Sequence, residues 1–326
     1  MDRLELVYAD QTGRRLGVKR AFAFDLAYGA DENDFEIELA KTDSLPLHGY
    51  VWIDGTEWGG VVDGSGVDAT GDVPVSKWTG RTWHGILSHS VVMPDGDDAY
   101  RMEGEANQAI GALIERQGLS GVFTASQAKS GMTLGYDVAR YADAYTALKD
   151  SLASVGARLE VERRGGSVEL SAVPALSASE TGRGSLGFSA SLDTRPVNHL
   201  VCAGEGQEGE RTLVDLYADE AGNVSQTQSL FGIDEVAELY GFTTADRERL
   251  IEDGTKRLEE YQEAAASASL NAPKWQDLHI GDSVGFLVPE TGFGLTAPVT
   301  KIVASVSSTG VPTVSYTLGD VRPIGG

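Results

Sequence analysis

Apolar side chains recur at every second position over long stretches of this 326-residue chain, and that period is the mark of β-strands. Phe35, Ile37 and Leu39 alternate with Glu36 and Glu38, and Val314, Tyr316 and Leu318 alternate with Thr313, Ser315 and Thr317. Successive side chains of a strand point to opposite faces, so each segment offers one face to a core and one to water. Phe22, Phe24, Leu26 and Tyr28 share a face in the same way, as do Val284, Phe286 and Val288, and Ile302, Ala304 and Val306. Residues 50–53 and 58–62 flank Asp54-Gly55, a hairpin-turn dipeptide. Residues 82–87 read as a further extended run. The 40 glycines supply the tight turns that many short strands need.

Helical spacing interrupts this pattern in three places. Ile110, Leu113 and Ile114 have it, and Asp143 caps a second helix carrying Tyr145, Leu148, Leu152 and Val155, which Gly156 stops. The strongest helical stripe is Leu250, Ile251, Gly254, Leu258, Tyr261 and Ala265, within 244–266. The polar stretch 177–185 reads as a linker. The expected fold is therefore mainly β with α+β insertions: two β-barrel-like domains, an α+β domain and a helical insertion. The expected boundaries are 1–94 for the first barrel-like domain and 95–180 for the α+β domain. The second barrel-like domain takes 186–217 with 273–326, and the helical insertion takes 218–272.

One motif invites a chemical reading. Residues 204–209 read Gly-Glu-Gly-Gln-Glu-Gly, the spacing of a dinucleotide loop. Such a loop must follow a strand and open a helix whose amides hold a pyrophosphate. Here Glu205, Glu208 and Glu210 would repel phosphate, and the next segment alternates (Leu213, Val214, Asp215, Leu216) as a strand does. A hairpin with a glycine tip fits better than a cofactor site.

The remaining candidates are sparse. His48, His84, His89, His199 and His279 include no i, i+4 pair and no HExxH. His84 and His89, five apart in an extended stretch, should diverge; so should His199 and Cys202. Cys202 is the single cysteine, which excludes an intrachain disulfide and fits a small buried hydrophobe. Asp-rich loops at 63–72 and 95–98 match no EF-hand pattern and read as solvated turns. Ser120, Ser126 and Ser130 lie in no GxSxG context. No catalytic, cofactor or metal residue is assigned, and no enzyme activity is expected. The N-terminus lacks a secretory pattern and no apolar run reaches membrane-spanning length.

Charge narrows the partners. A formal charge of −23 disfavours binding to nucleic acid through its phosphates and adhesion to anionic lipid.

The order of these units resembles the tail-tip, or baseplate hub, proteins of long-tailed bacteriophages. The hairpin 198–216, with its glycine tip and Arg211, is similar to the opening of the second barrel in siphophage members. Gly80-Arg81-Thr82-Trp83-His84-Gly85-Ile86-Leu87 is similar to the stretch that closes the first barrel. Asp277-Leu278-His279-Ile280-Gly281-Asp282-Ser283-Val284 is similar to the return strand. The resemblance covers essentially the whole chain. It implies a homotrimeric ring at the distal end of the virion tail, with two barrel-like domains per copy mated to a six-fold tail tube. It implies distal tail, tail tube, tape-measure and tip or fibre proteins as partners, and DNA passing through without specific binding. Many relatives carry a C-terminal lytic or fibre extension; here only eight residues follow Leu318. Carboxylates facing such a channel would let DNA slide. The alternatives are a receptor- or glycan-binding tail protein, with Trp52 or Trp58 stacking on sugars, and a cell-wall hydrolase.

Overall fold

The structure is a computed structural model. It describes residues 4–323 except 71–73, 97, 165, 182–186, 193–194, 207–210, 243–244, 265, 272–277, 289–292 and 320–321. The chain divides into two compact units, Met1–Gly187 with Leu270–Leu318, and Phe188–Ser269 with Gly319–Gly326. Strands predominate, as the two-residue period requires.

The first unit is organised by one long antiparallel path. From Pro312–Leu318 it passes through Phe293–Val306, Ala23–Gly29, Asp34–Ala40 and Val75–Thr82. It continues through Gly59–Asp68, Tyr50–Ile53 and Leu6–Ala9 to Arg15–Lys19. Among the described residues Arg15–Lys19 pairs only with Leu6–Ala9, so the path does not close into a barrel. The strand Asp34–Ala40 shows how pattern becomes packing. Phe35, Ile37 and Leu39 are buried, while Glu36 and Glu38 stay partly exposed beside Lys77. Phe24 meets Phe35 edge-on at 5.7 Å between ring centroids, a favoured aromatic arrangement. The strand Phe293–Val306 joins this sheet through Lys301↔Gly29 to Val306↔Phe24.

Two expectations are corrected in this unit. Residues 83–88 are not extended; Trp83–Ser88 is a short helix, α1. Thr82 caps it by accepting from the Gly85 amide at 3.1 Å, and its own hydroxyl donates to the Asn33 carbonyl. Trp83, Ile86 and Leu87 are all buried, and a short apolar run without polar alternation fits a buried helix as well as a buried strand. In the supposed linker, Ser177–Thr181 is a strand paired in parallel with Ser283–Leu287. A parallel ladder is held by backbone groups, so small polar side chains can occupy it without announcing it.

The same unit holds α2 (Ala106–Arg116) and α3 (Ala144–Ala153), each capped by a carboxylate, Glu105 and Asp143. Gly156 ends the second run with φ of +70°. The helices cover a three-stranded sheet of Ala157–Arg164, Ser167–Pro174 and Phe123–Ala125. Ile110, Leu113, Leu148, Leu152, Val168 and Leu170 form their shared core.

The second unit is a four-stranded sheet in the order Val224–Ser225, Leu213–Ala218, His199–Ala203, Ala237–Gly241. The helix α4 (Arg247–Ala264) lies on one face, packing Leu250 and Leu258 against Leu200, Cys202, Val214 and Leu216. Gly254 sits where α4 comes nearest the sheet. A Cβ built there would lie 2.6 Å from Cys202 Sγ and 2.7 Å from Leu216 Cδ1, so a larger residue fits only if those side chains shift.

Candidate functional site

The glycine motif is the tip of a hairpin. His199–Ala203 pairs with Leu213–Ala218 from His199↔Tyr217 to Ala203↔Leu213, so a strand stands where a phosphate loop needs a helix. Three amides at this tip are already engaged: Gly204 donates to Thr212, Thr212 to Glu205, and Glu205 to Ala245. Arg211 turns inward, with Nε donating to the Gly204 carbonyl at 2.9 Å and Nη2 to Ala203 at 3.2 Å. Residues 207–210 lie outside the described residues. Cys202 is fully buried and burial pushes its thiol up to about 11, the behaviour of a packing residue. His199 points to the opposite face, where Nδ1 lies 2.6 Å from Glu235, Nε2 lies 3.1 Å from Asp215, and the ring stacks on Tyr217.

Among the described residues the buried charged groups gather in one cluster of the first unit, which sequence reasoning missed. Glu57 follows the hairpin turn at Gly55, His84 lies on α1, and Arg158 lies on Ala157–Arg164. His279 and Asp282 come from the return segment. Glu57 Oε1 is 2.7 Å from His279 Nδ1, and its Oε2 is 3.6 Å from His84 Nε2. Arg158 Nε is 3.0 Å from Asp282 Oδ1, close enough for an ion pair but not aligned as a hydrogen bond. Asp282 also accepts from the backbone amides of Leu176 (2.8 Å) and His279 (2.9 Å). Tyr28 stacks on the His84 ring at 4.4 Å and Tyr145 meets it edge-on at 5.2 Å.

These surroundings set the protonation states. Burial pulls His84 down to about 4 against the opposing charge of Glu57, so its imidazole is neutral at physiological pH. Burial raises Glu57, but the His279 hydrogen bond, foremost, and the nearby positive charges of His279 and Arg158 outweigh it, and its pKa is lowered. Burial lowers His279 as well, yet the hydrogen bond and charge of Glu57 prevail and raise it. Beside the cluster a cleft of about 240 Å³ is lined by Trp52, Glu57, Glu160, Arg163 and His279. Glu57 pairs with His279 and Asp282 with Arg158, whereas His84 Nδ1 and Arg158 Nη1 are buried without a hydrogen-bond partner; among the contacts described no hydroxyl or thiol is bonded to a histidine of the cluster. The arrangement serves to hold four segments together.

The other candidates have structural partners. Asp63 grips Arg81 in a two-pronged pair at 2.8 and 2.9 Å, and Asp68 closes on Thr70. Asp95 pairs with Arg116 at 2.8 Å; Asp97 and 71–73 lie outside the described residues. Ser130 binds Glu105, and His89 Nδ1 binds the Gly85 carbonyl at 2.8 Å within its own turn. His48 has φ of +61° at a tight bend. Trp52 is 7% exposed and its ring is covered by the Arg163 guanidinium at 3.9 Å, so it offers no platform to a sugar. Among the described residues no group of three or more His, Cys, Asp or Glu is placed to hold a metal ion.

A signal for the cluster existed only in part. His84 stands among Trp83, Ile86 and Leu87, a setting that buries an imidazole, but its partner Glu57 lies in a polar turn. His279 is 222 residues from Glu57.

No protein-family model and no curated protein matches the chain. Solved structures do. The tail protein from Neisseria meningitidis MC58 is similar with a TM-score of 0.50 at 13% identity, over 98% of this chain and 97% of that one. The prophage tail protein gp18 from Listeria monocytogenes EGD-e is similar at 0.48 and 12% identity, over 97% and 94%. The 43 kDa tail protein of prophage MuSo2 from Shewanella oneidensis is similar at 0.49 and 10% identity, over 97% and 98%. Along nearly its whole length the chain shares the fold of this Neisseria tail protein, in keeping with the phage tail family its sequence resembles.

Proposed function

We propose that this protein is a non-enzymatic structural component of a phage tail, a hub that assembles as a three-membered ring at the distal tip. The observation that carries this reading is the end-to-end fold likeness to a tail protein, with no large part of either chain left over. In this reading the strand-rich regions act as two barrel-like tube domains per copy, so that three copies present six similar units to the tube. Distal tail, tube and tape-measure proteins are its neighbours, and DNA passes through the ring unbound.

Charge supports the channel. Alternation sends Phe24, Leu26, Ile37 and Leu39 into the core and leaves Asp25, Glu36 and Glu38 on the opposite face of the same two paired strands. With a formal charge of −23, a bore lined by such a face repels phosphate and leaves DNA free to slide. Sedimentation at a range of concentrations, followed by imaging of intact particles with a labelled chain, tests the reading. Three chain masses in solution and label at the tail tip are expected. A chain that stays monomeric and decorates the capsid or the tail shaft would overturn it.

A further inference from the structure

Two open strand edges in this chain carry opposite charge. In the second unit Ala237–Gly241 ends its sheet, paired only with His199–Ala203 among the described residues. Leu239 on this strand is 66% exposed, and Phe231 and Ile233, just before it in the chain, are exposed too, Ile233 at 78%. Large apolar side chains grouped in solvent mark contact surfaces, and an open strand edge offers unpaired backbone groups to another chain. Between Arg211 and Arg247 the sequence holds seven carboxylates and no lysine or arginine. Asp234 pairs with Arg195, and His199 meets Asp215 and Glu235, while Glu238 on the strand itself is exposed and accepts from the Tyr261 hydroxyl.

In the first unit Arg15–Lys19 ends its sheet, paired only with Leu6–Ala9 among the described residues. From 11 to 24 the sequence holds four basic residues and no acidic one, the densest such run in the chain. Arg14 is 78% exposed against Asp10, Arg20 is paired with Glu5 at the rim, and Lys19 with Asp43. Arg15 is exposed with no ion pair among the described residues, and Leu16 beside it is exposed.

We infer that these edges mate in trans: the acidic, apolar edge at Ala237–Gly241 of one copy receives the basic edge Arg15–Lys19 of a second copy as an added strand. Both strands are five residues long, so the ladder has no overhang. Copies carrying −23 repel one another, but salt screens that repulsion beyond about 8 Å. Association then depends on local patches of opposite sign, and this basic run is the chain's main supply of one. Backbone hydrogen bonds give such strand addition its affinity, and the flanking side chains give it specificity. The contact joins unlike surfaces, so it propagates head to tail and closes as a ring when the rotation allows. The inference rests on the three-copy reading above and names the surfaces that join the copies.

Two exposed-residue variants test it. One carries Arg14→Gln, Arg15→Gln and Arg20→Gln; the other carries Ile233→Ser, Glu238→Gln and Leu239→Ser. Each alone should need a concentration on the order of a hundredfold higher than the parent to assemble. Mixed in equal amounts they should form one-to-one pairs and nothing larger, because only one intact acidic edge meets one intact basic edge. Higher salt should weaken the parent assembly. If the parent forms three-membered rings and both variants match it, the edge pairing is overturned while the ring reading stands. If the parent is monomeric at every concentration, the ring reading falls and takes the edge pairing with it.

Discussion

Replacing His84 by glutamine should remove most of the stability that the first unit loses on mild acidification. His84 is 97% shielded at its side chain and its pKa is depressed from 6.5 to about 4. The unfolded chain therefore takes up this proton before the folded one does. Stability from the neutral imidazole is fully present above 6.5 and falls as pH drops toward 4. With 1.36 kcal/mol per pKa unit, the loss between pH 7.5 and pH 5 is about 2 kcal/mol. Glu57, His279 and Arg158 face the ring or its partners, with Tyr28 and Tyr145 against it and Lys149 nearby. His279 works in the other direction: its raised pKa gives stability that is complete below 6.5 and fades as pH rises through its folded value. Glu57 is lowered, so its share persists through this window and fades only in stronger acid. Urea unfolding at pH 7.5 and pH 5 reads the effect through tryptophan fluorescence, since four of the five tryptophans lie at 52, 58, 78 and 83. The parent's advantage over the glutamine variant should shrink by about 2 kcal/mol on acidification. Parallel loss in both proteins would refute the assignment of a neutral, buried His84.

Asp282→Asn removes the nearer, fully buried charge partner of Arg158 and leaves only the part-exposed Glu160 at 3.7 Å, and a cost of about 3 kcal/mol should appear in the unfolding free energy. Gly254→Ala should destabilise the second unit by about 1–3 kcal/mol because the new methyl collides with Cys202 and Leu216, as thermal unfolding followed by circular dichroism would show. Helix propensity alone gives the opposite sign, a gain of about 1 kcal/mol.

What the sequence reveals here is local periodicity, and what it conceals is pairing across distance. Phe35, Ile37 and Leu39 announce a strand because one face of it is wet. The periodicity of Ile302, Ala304 and Val306 is equally plain, yet nothing in it names Tyr28, Leu26 and Phe24 as the residues opposite. The helix α4 declares itself by its stripe, and Gly254 within the stripe is legible as a close approach only once Cys202 is seen beneath it. The glycine motif is resolved by its own context, since three glutamates and a following strand contradict phosphate binding. Residues 83–88 are misread because their helix is a single buried turn, where neither period has room to show. Ser177–Thr181 is misread because its partner strand, not its side chains, makes it a strand. The charged cluster is hidden for a further reason: Glu57, His84, Arg158 and His279 become partners only through tertiary contact.

A buried charge cluster is a poor way to gain stability. Taking charges out of water costs several kcal/mol per ion, and well-packed apolar side chains often do as well or better. Its value lies in direction. Glu57 must meet His279 at one nitrogen and face His84 with its other oxygen, while Asp282 must serve Arg158 and two backbone amides together. Slippage of the return segment by one residue would leave these groups buried and unpaired, whereas an apolar contact would tolerate it. The cluster thus fixes the register at which the return segment enters the sheet of the first unit. If copies join in the ring proposed above, that register matters more than a surplus of stability, because any error in one copy's shape is repeated at every contact around the ring.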